Sequence, residues 1–210
     1  MKRAISGLYA VTPDTRDTPG LLAGVESALA GGARLLQYRN KRADAALRHA
    51  QGRALLALCR RHEVPLIIND DLDLALELDA AGVHLGSDDG PLHAARKRLG
   101  RAKILGASCY RQLDSALEAQ DAGADYVAFG SFFVSGVKPA AVRAPVALLQ
   151  EARQRLTVPV VAIGGITLQN APQLIAAGAD AVAVISALFG ARDIGAAATR
   201  FTALFQAPDK

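Results

Sequence analysis

The chain has 210 residues, enough for one substantial hydrophobic core and few for two, so a single domain over residues 1–210 is expected. Apolar residues make up 51% and charged residues 21%, a globular composition that excludes a disordered chain. Lys and Arg number 24 against 20 acids, a net charge of +4 without the dense basic stripe of a nucleic-acid-binding protein. We therefore expect no nucleic-acid partner.

The sequence gives three indications of compartment. No apolar run approaches the ~18 residues of a membrane span, and the N-terminal segment lacks the sustained apolar region of a signal peptide. Cys59 and Cys109 are too few for a disulfide framework and are not spaced like metal ligands. We expect a cytoplasmic protein that does not contact membranes.

A repeated pattern runs through the chain: an Ala/Leu-rich amphipathic segment, a glycine near its end, then a short apolar run. Glycine after a last helical turn accepts positive φ, and a run that is apolar on both faces is typical of a buried parallel strand. The first helix is predicted to have Thr18 as its N-cap and Pro19 as its first residue, and the last helix to span residues 191–206. The eight predicted strands are 8–11, 34–38, 65–69, 82–85, 103–107, 125–129, 159–163 and 181–185.

Eight strands alternating with helices predict an α/β protein, a (β/α)8 TIM barrel. An open doubly wound sheet is the alternative, but Thr12-Pro13-Asp14-Thr15 stands where its Gly-rich nucleotide-binding turn would follow the first strand. In a TIM barrel the active site lies where the strands end, and the polar features of this chain fall there. They are Gln37-Tyr38-Arg39-Asn40-Lys41 after the second strand, Asn69-Asp70 after the third, Gly86-Ser87-Asp88-Asp89 after the fourth, Ser108-Cys109-Tyr110 after the fifth, a loop from Gly130 to Lys138 after the sixth, Gly164-Gly165 after the seventh and Ser186 after the eighth.

The basic residues after the second strand suggest a phosphate site. Arg39 and Lys41 occupy alternate positions, so both side chains can point the same way, and Lys138 adds a third cation. Arg offers a planar fork to a phosphate and Lys a mobile point charge. A solvated pair of surface charges is the alternative interpretation.

Asp70 and Asp89 end neighbouring predicted strands and suggest a metal site. Two carboxylates with phosphate oxygens and water are typical ligands of Mg²⁺, which prefers hard oxygen donors. The alternative is that Asp70 and Asp71 cap a helix over residues 71–81, while Asp89 caps the next helix at Pro91.

The segments Ile163-Gly164-Gly165-Ile166-Thr167 and Val184-Ile185-Ser186-Ala187 resemble the phosphate cradle that follows the last two strands of many TIM barrels. Glycines let backbone N–H groups approach the oxygens, and a helix N-terminus would add partial positive charge. A tight turn is the alternative.

His84, between two apolar strand residues, is interpreted as a hydrogen-bonded residue of the barrel core. The residues together predict two phosphorylated substrates that are joined while Mg²⁺ stabilises a departing pyrophosphate.

Several motifs, in order, resemble the thiamine phosphate synthase family over nearly the whole chain. They are Gln37-x-Arg39-x-Lys41, Ile68-Asn69-Asp70, Gly82-Val83-His84-Leu85-Gly86-x-x-Asp89, Gly106-Ala107-Ser108 and Ala162-Ile163-Gly164-Gly165-Ile166. The resemblance implies a TIM barrel that condenses a hydroxymethylpyrimidine diphosphate with a thiazole phosphate, giving thiamine phosphate and pyrophosphate through a pyrimidine carbocation. It also implies a cytoplasmic enzyme and a homodimer.

The resemblance also implies roles for single residues. The pyrimidine diphosphate would be bound by Gln37, Arg39, Lys41, Asn69, Ser108 and Lys138, with Arg39, Lys41, Ser108 and Lys138 catalytic and Tyr38 and Asn40 in the same binding segment. Mg²⁺ would be held by Asp70 and Asp89, and the thiazole phosphate by Ser135, Gly165, Ile185 and Ser186.

One position departs from the family pattern. Val137 stands where the family has a threonine, and it cannot donate a hydrogen bond, so weaker binding of the thiazole phosphate is expected. The alternatives are a thiazole tautomerase relative and a non-catalytic barrel that binds a phosphorylated ligand. Gln37, Asp89 and Tyr110 favour the synthase over the tautomerase, which is expected to have a catalytic His where Tyr110 stands.

Overall fold

In the computed structural model, which describes residues 5–134 and 142–206, eight parallel strands pair in sequence order and close into a barrel. The predicted (β/α)8 TIM barrel is confirmed, and β1 closes it by pairing with β8. The strands are β1 Gly7–Val11, β2 Leu35–Tyr38, β3 Leu66–Asn69, β4 Gly82–Leu85, β5 Ile104–Tyr110, β6 Tyr126–Phe129, β7 Val160–Ile163 and β8 Ala181–Val184.

Helices follow the strands and cover the outside of the barrel. They are α1 Thr18–Ala30, α2 Ala45–Arg61, α3 Leu72–Glu77, α4 Leu92–Leu99, α5 Leu113–Asp121, α6 Ala147–Arg155, α7 Ala171–Ala176, α8 Ser186–Phe189 and α9 Ile194–Ala203. No helix in residues 5–134 and 142–206 is both long and apolar enough to cross a membrane.

Some predicted boundaries are wrong. The N-cap of α1 is Asp17, whose carboxylate accepts from the Gly20 N–H at 3.1 Å, so Thr18 is the first helical residue. The helix predicted over residues 71–81 ends at Glu77, followed closely by Asp79 in the left-handed region at φ +54°. The segment predicted as one helix over residues 191–206 contains the shorter α9, which follows the separate single turn α8.

Alternation along the strands sorts the side chains into two cores. Inward residues fill the barrel, including Tyr9, Leu35, Ile67, Tyr126 and Val161, all at most 1% exposed. Outward residues pack against the helices in a larger aliphatic layer. This period of two decides which residues at each strand's end reach the site inside the barrel mouth.

Candidate active site

The main cavity, about 430 Å³, lies inside the barrel at the ends of the strands. Besides Ile185, which also lines a neighbouring cavity, four predicted site residues line it, Gln37, Arg39, Asn69 and Ser108. They come from β2, the segment after β2, β3 and β5, so the closed barrel brings together residues that are remote in the sequence. Tyr110 and Arg111, which were not predicted as binding residues, also line this cavity.

Arg39 is held in place by the segment after β1. Its Nη1 donates to Asp14 Oδ1 at 3.0 Å, and the same carboxylate oxygen accepts from the Lys41 backbone N–H at 2.8 Å. Thr12 Oγ1 lies 2.8 Å from both the backbone N and the backbone O of Arg39. The Arg39 side chain is 14% exposed, so a cavity-lining guanidinium is fixed before any ligand arrives.

Tyr38 and Asn40 do not reach the cavity, and their predicted contacts with substrate are corrected. Both side chains lie on the face of β2 opposite to Gln37 and Arg39. The Tyr38 hydroxyl donates to Gln51 Oε1 on α2 at 2.8 Å, and burial raises its pKa to about 12. Asn40 Nδ2 donates to Gln51 Oε1 at 3.0 Å and to the Thr15 carbonyl at 2.6 Å. These two residues secure the loops around the site.

Lys41, Asp70 and Asp89 form a charged cluster at the rim of the barrel. Lys41 Nζ lies 3.0 Å from Asp70 Oδ2, and the Asp70 side chain is 31% exposed. Asp70 has φ +63°, and its backbone N–H donates to the His84 carbonyl at 2.8 Å. A positive φ at a non-glycine residue costs about 1–3 kcal/mol. Contacts with the surrounding structure must therefore hold the Asp70 backbone in this conformation.

The alternative that these acids are helix caps is excluded for Asp70. Asp71, not Asp70, caps α3 by accepting from the Leu74 N–H at 2.9 Å. Asp89 Oδ2 accepts from the Gly86 N–H at 2.7 Å in the turn after β4, and no side chain caps α4. Asp70 therefore has no capping role.

The Asp70 and Asp89 carboxyl groups influence each other's pKa. Burial raises the pKa of Asp89, and the neighbouring negative Asp70 raises it further. Burial also opposes ionisation of Asp70, but hydrogen bonds from Lys41, Asp89 and Asn69 outweigh it and lower the Asp70 pKa. No group of three or more metal-ligating His, Cys, Asp or Glu side chains occurs among the described residues. Two carboxylates suit Mg²⁺, which binds through one or two carboxylates together with substrate phosphates and waters.

A second cavity of about 180 Å³ adjoins the first and shares Ile163, Gly164, Ala183 and Ile185 with it. Gly165 and Ser186 from the predicted phosphate cradle line this smaller cavity. Gly165 has φ +65°, and a Cβ there would lie 2.4 Å from the Val134 carbonyl oxygen, so glycine is required. The helix that begins at Ser186 is a single turn, so its dipole is small. A phosphate in the predicted cradle would therefore be bound mainly by individual backbone N–H groups.

A chain of hydrogen bonds crosses the floor of the main cavity. Gln37 Nε2 donates to the Tyr9 hydroxyl at 3.0 Å, and the Tyr9 and Tyr126 hydroxyls are 2.8 Å apart. His84 Nδ1 lies 2.9 Å from the Tyr126 hydroxyl, and His84 Nε2 lies 2.8 Å from Ser108 Oγ. Burial lowers the His84 pKa to about 4, so the ring is neutral near pH 7. His84 is hydrogen-bonded in the core, as predicted, yet it also supports a cavity residue.

Sequence reasoning missed Tyr9, Tyr126 and Asp14. One feature of the sequence could have identified the two tyrosines: each places a polar phenol hydroxyl in a strand whose other residues are almost all aliphatic. Ser135, Val137 and Lys138 lie outside the described residues, so their roles stay predictions. Cys109 packs outside the barrel, where burial raises its thiol pKa to about 12 and so disfavours the thiolate that a nucleophile needs.

The fold and the two adjoining cavities define a TIM barrel with a two-part cavity at the ends of its strands. The family model for thiamine monophosphate synthase matches residues 8–188. A thiamine-phosphate synthase from Thiobacillus denitrificans is 58% identical over 207 residues, covering 99% of this chain and 98% of the relative. The relative of the same description from Nitrosospira multiformis is 56% identical over 205 residues, covering 98% of this chain and 88% of its own length.

A solved structure, a thiamine phosphate pyrophosphorylase from Pyrococcus furiosus, superposes with a TM-score of 0.85 at 36% identity and covers 94% of both chains. This chain belongs to the thiamine monophosphate synthase family.

Proposed function

We propose that the protein condenses 4-amino-2-methyl-5-hydroxymethylpyrimidine diphosphate with 4-methyl-5-(2-phosphooxyethyl)thiazole, releasing thiamine phosphate and pyrophosphate. The observation that carries this proposal is the pair of cavities with a shared wall. One is lined by Arg39, Asn69 and Ser108, with Asp70 next to Asn69 in the chain, and the other is lined by Gly164 and Gly165. The family membership supports the choice of these two substrates.

The main cavity would hold the pyrimidine diphosphate. Arg39, already oriented by Asp14, presents its guanidinium to the diphosphate, and Lys41 adds a mobile charge from the rim. Asn69 and Ser108 contribute neutral donors from β3 and β5. Groups fixed before the reaction stabilise a departing anion without reorganising, which is the main source of rate in such sites.

Asp70 and Asp89 would hold Mg²⁺, consistent with their shared position at the rim and with the effect of the Asp70 charge on the Asp89 pKa. When bound, the ion neutralises charge on the diphosphate and so favours departure of pyrophosphate. Lys41, paired with Asp70, would lie against the same diphosphate oxygens. From the sequence we also assign Lys138 to the diphosphate.

The smaller cavity would hold the thiazole phosphate through Gly165, Ile185 and Ser186, with Ser135 assigned to it from the sequence. The bond between the pyrimidine methylene carbon and the diphosphate oxygen breaks first, and the electron-rich aminopyrimidine carries the positive charge. The thiazole nitrogen then donates its electron pair to that carbon. Holding both substrates on either side of the shared wall supplies the alignment that this step needs.

The test is to mix both substrates with the purified protein and Mg²⁺ and to measure thiamine phosphate and pyrophosphate together. Equal amounts of the two products are expected, with neither formed when one substrate is omitted and little formed in EDTA. A protein that turns over the thiazole phosphate alone would instead support the tautomerase alternative, and no product under any condition would support the non-catalytic alternative.

We also propose that the enzyme works as a homodimer in the cytoplasm. The two cysteines, both free and buried, are consistent with a reducing compartment. Light scattering on the purified protein tests the oligomeric state: a mass near 44 kDa, twice the 21.9 kDa chain, is expected and a mass of one chain would contradict it.

A further inference from the structure

In the five-residue chain of hydrogen bonds beneath the main cavity, one direction leaves no tyrosine hydroxyl proton unused. Gln37 donates to the Tyr9 hydroxyl oxygen, so the Tyr9 proton is free to donate to Tyr126. In that direction the Tyr126 hydroxyl accepts from Tyr9 and uses its one proton to donate to His84 Nδ1. Because Nδ1 then accepts, the His84 ring carries its proton on Nε2.

The direction of the chain decides what Ser108 offers to a ligand. In the direction given above, His84 Nε2–H donates to Ser108 Oγ, which lies 2.8 Å away and lines the cavity. The serine proton is therefore not used by His84 and is available to an acceptor in the cavity. In the opposite direction Ser108 would donate to His84 and turn only lone pairs toward the ligand, which would repel a diphosphate oxygen.

Packing holds the two tyrosines in this arrangement. Their rings meet edge to face, with centroids 5.9 Å apart, and Tyr126 stacks on His84 with centroids 5.5 Å apart. Tyr9 is 1% exposed and Tyr126 0% exposed, so no solvent competes for the hydroxyls. Buried networks whose members are all satisfied are rigid, which suits a positioning role.

We propose that Tyr9 and Tyr126 are positioning residues that fix the Nε2–H tautomer of His84 and thereby present the Ser108 hydroxyl as a hydrogen-bond donor to the diphosphate. The proposal rests on the proposed function for the identity of the diphosphate ligand. The tautomer itself is a property of the ligand-free protein.

The direct test is ¹⁵N NMR of histidine-labelled protein without ligand, with His84 assigned by its loss in His84→Gln. The expected spectrum shows His84 protonated at Nε2 and not at Nδ1. The same measurement on Tyr126→Phe, and on Tyr9→Phe if the first variant does not fold, is expected to show a changed or mixed tautomer. A wild-type His84 protonated at Nδ1 alone would overturn the proposal.

Affinity for inorganic pyrophosphate with Mg²⁺, measured by calorimetry, tests the consequence at Ser108. Tyr126→Phe is expected to weaken binding about threefold to tenfold, the effect of one hydrogen bond. Tyr38→Phe is the matched control, because it removes a buried phenol hydroxyl from the outer face of the barrel, and its affinity and His84 tautomer should equal those of the wild type. Equal losses in both variants would contradict the proposal.

A double-mutant cycle separates positioning from general damage. If Tyr126 acts through Ser108, then Tyr126→Phe should have little further effect on pyrophosphate affinity in a Ser108→Ala background. Fully additive losses would show that Tyr126 acts by another route. Absence of condensation in an enzyme with the expected tautomer and cycle would refute the proposed function and leave the positioning role standing.

Discussion

Replacing Gly106 with alanine should displace Tyr126 and so disturb the hydrogen bonds beneath the main cavity. Gly106 lies on β5, and the missing side chain leaves room for the ring of Tyr126. An added Cβ would lie 2.1 Å from Tyr126 Cζ and 2.3 Å from its hydroxyl oxygen. Since ordinary contact begins at 3.4 Å, relief of the closest contact needs a movement of about 1.3 Å, the difference between 3.4 and 2.1 Å.

The cost follows from the surroundings of Tyr126. The ring is fully buried, and its hydroxyl is bonded at 2.8 Å to Tyr9 and at 2.9 Å to His84. Overpacking a core costs about 1–3 kcal/mol, and leaving a buried polar group unpaired costs about 1–3 kcal/mol. We expect Gly106→Ala to lower the free energy of unfolding by about 2–5 kcal/mol.

Urea unfolding followed by circular dichroism measures this free energy. Gly195→Ala is the matched control, because Gly195 lies in α9 and an added Cβ would meet only atoms at 3.5 Å or more. That control should be neutral or more stable by up to about 1 kcal/mol. A Gly106→Ala protein within about 0.5 kcal/mol of the wild type would refute the packing argument.

The remaining predictions concern the metal and phosphate sites. Asp70→Asn should reduce turnover about 10²-fold or more in steady-state assays. Asp71→Asn, whose side-chain oxygen can still cap α3, should leave turnover near the wild-type value and change the free energy of unfolding by less than about 0.5 kcal/mol; equal turnover losses would contradict the assignment. Mg²⁺ requires ionised carboxylates, and burial raises the Asp89 pKa. Mg²⁺ affinity measured by calorimetry should therefore weaken steadily as pH falls from neutrality toward the acid range. An affinity that stays constant over this range would contradict the assignment of Asp89 as a metal ligand. Gly165→Ala should raise the KM for the thiazole phosphate at least tenfold, since its Cβ would lie 2.4 Å from a carbonyl oxygen. Gly100→Ala, at a positive φ with nothing within 4 Å, should leave that KM unchanged, and similar values for the two variants would refute the cradle.

The barrel could be predicted because its signals are local. Each strand is a short apolar run, and each run is separated from the next by a helical segment, so counting them gave the architecture. The same counting placed Asn69, Asp70 and Asp89 at one end of the barrel, where the structure has them. Residues at the ends of parallel strands meet at one rim, whatever their distance along the chain.

The predictions failed where a residue's role depends on the direction of its side chain or on a partner far away in the sequence. Tyr38 and Asn40 lie in the same segment as Gln37 and Arg39 but face the opposite way, because side chains alternate along a strand. The Tyr9–Tyr126 hydrogen bond joins residues 117 positions apart, and no local pattern reports it.

Helix boundaries depended on a choice between neighbouring residues. Asp17 and Thr18 are both good N-caps, and the carboxylate of Asp17 accepts from the Gly20 N–H. The N-cap of α1 therefore lies one residue before the predicted position. The lining of the two cavities is unaffected, because it includes neither Asp17 nor Thr18.

The central claim is that the rim of Arg39, Lys41, Asp70 and Asp89 forms one site for a diphosphate together with Mg²⁺. Calorimetric titration of the wild-type protein with inorganic pyrophosphate, with and without Mg²⁺, tests it most directly once the heat of metal–pyrophosphate association is subtracted. The predicted result is one binding event per chain whose affinity falls at least tenfold when Mg²⁺ is removed, about 1.4 kcal/mol. Equal affinity in both conditions, or no binding in either, would contradict the claim.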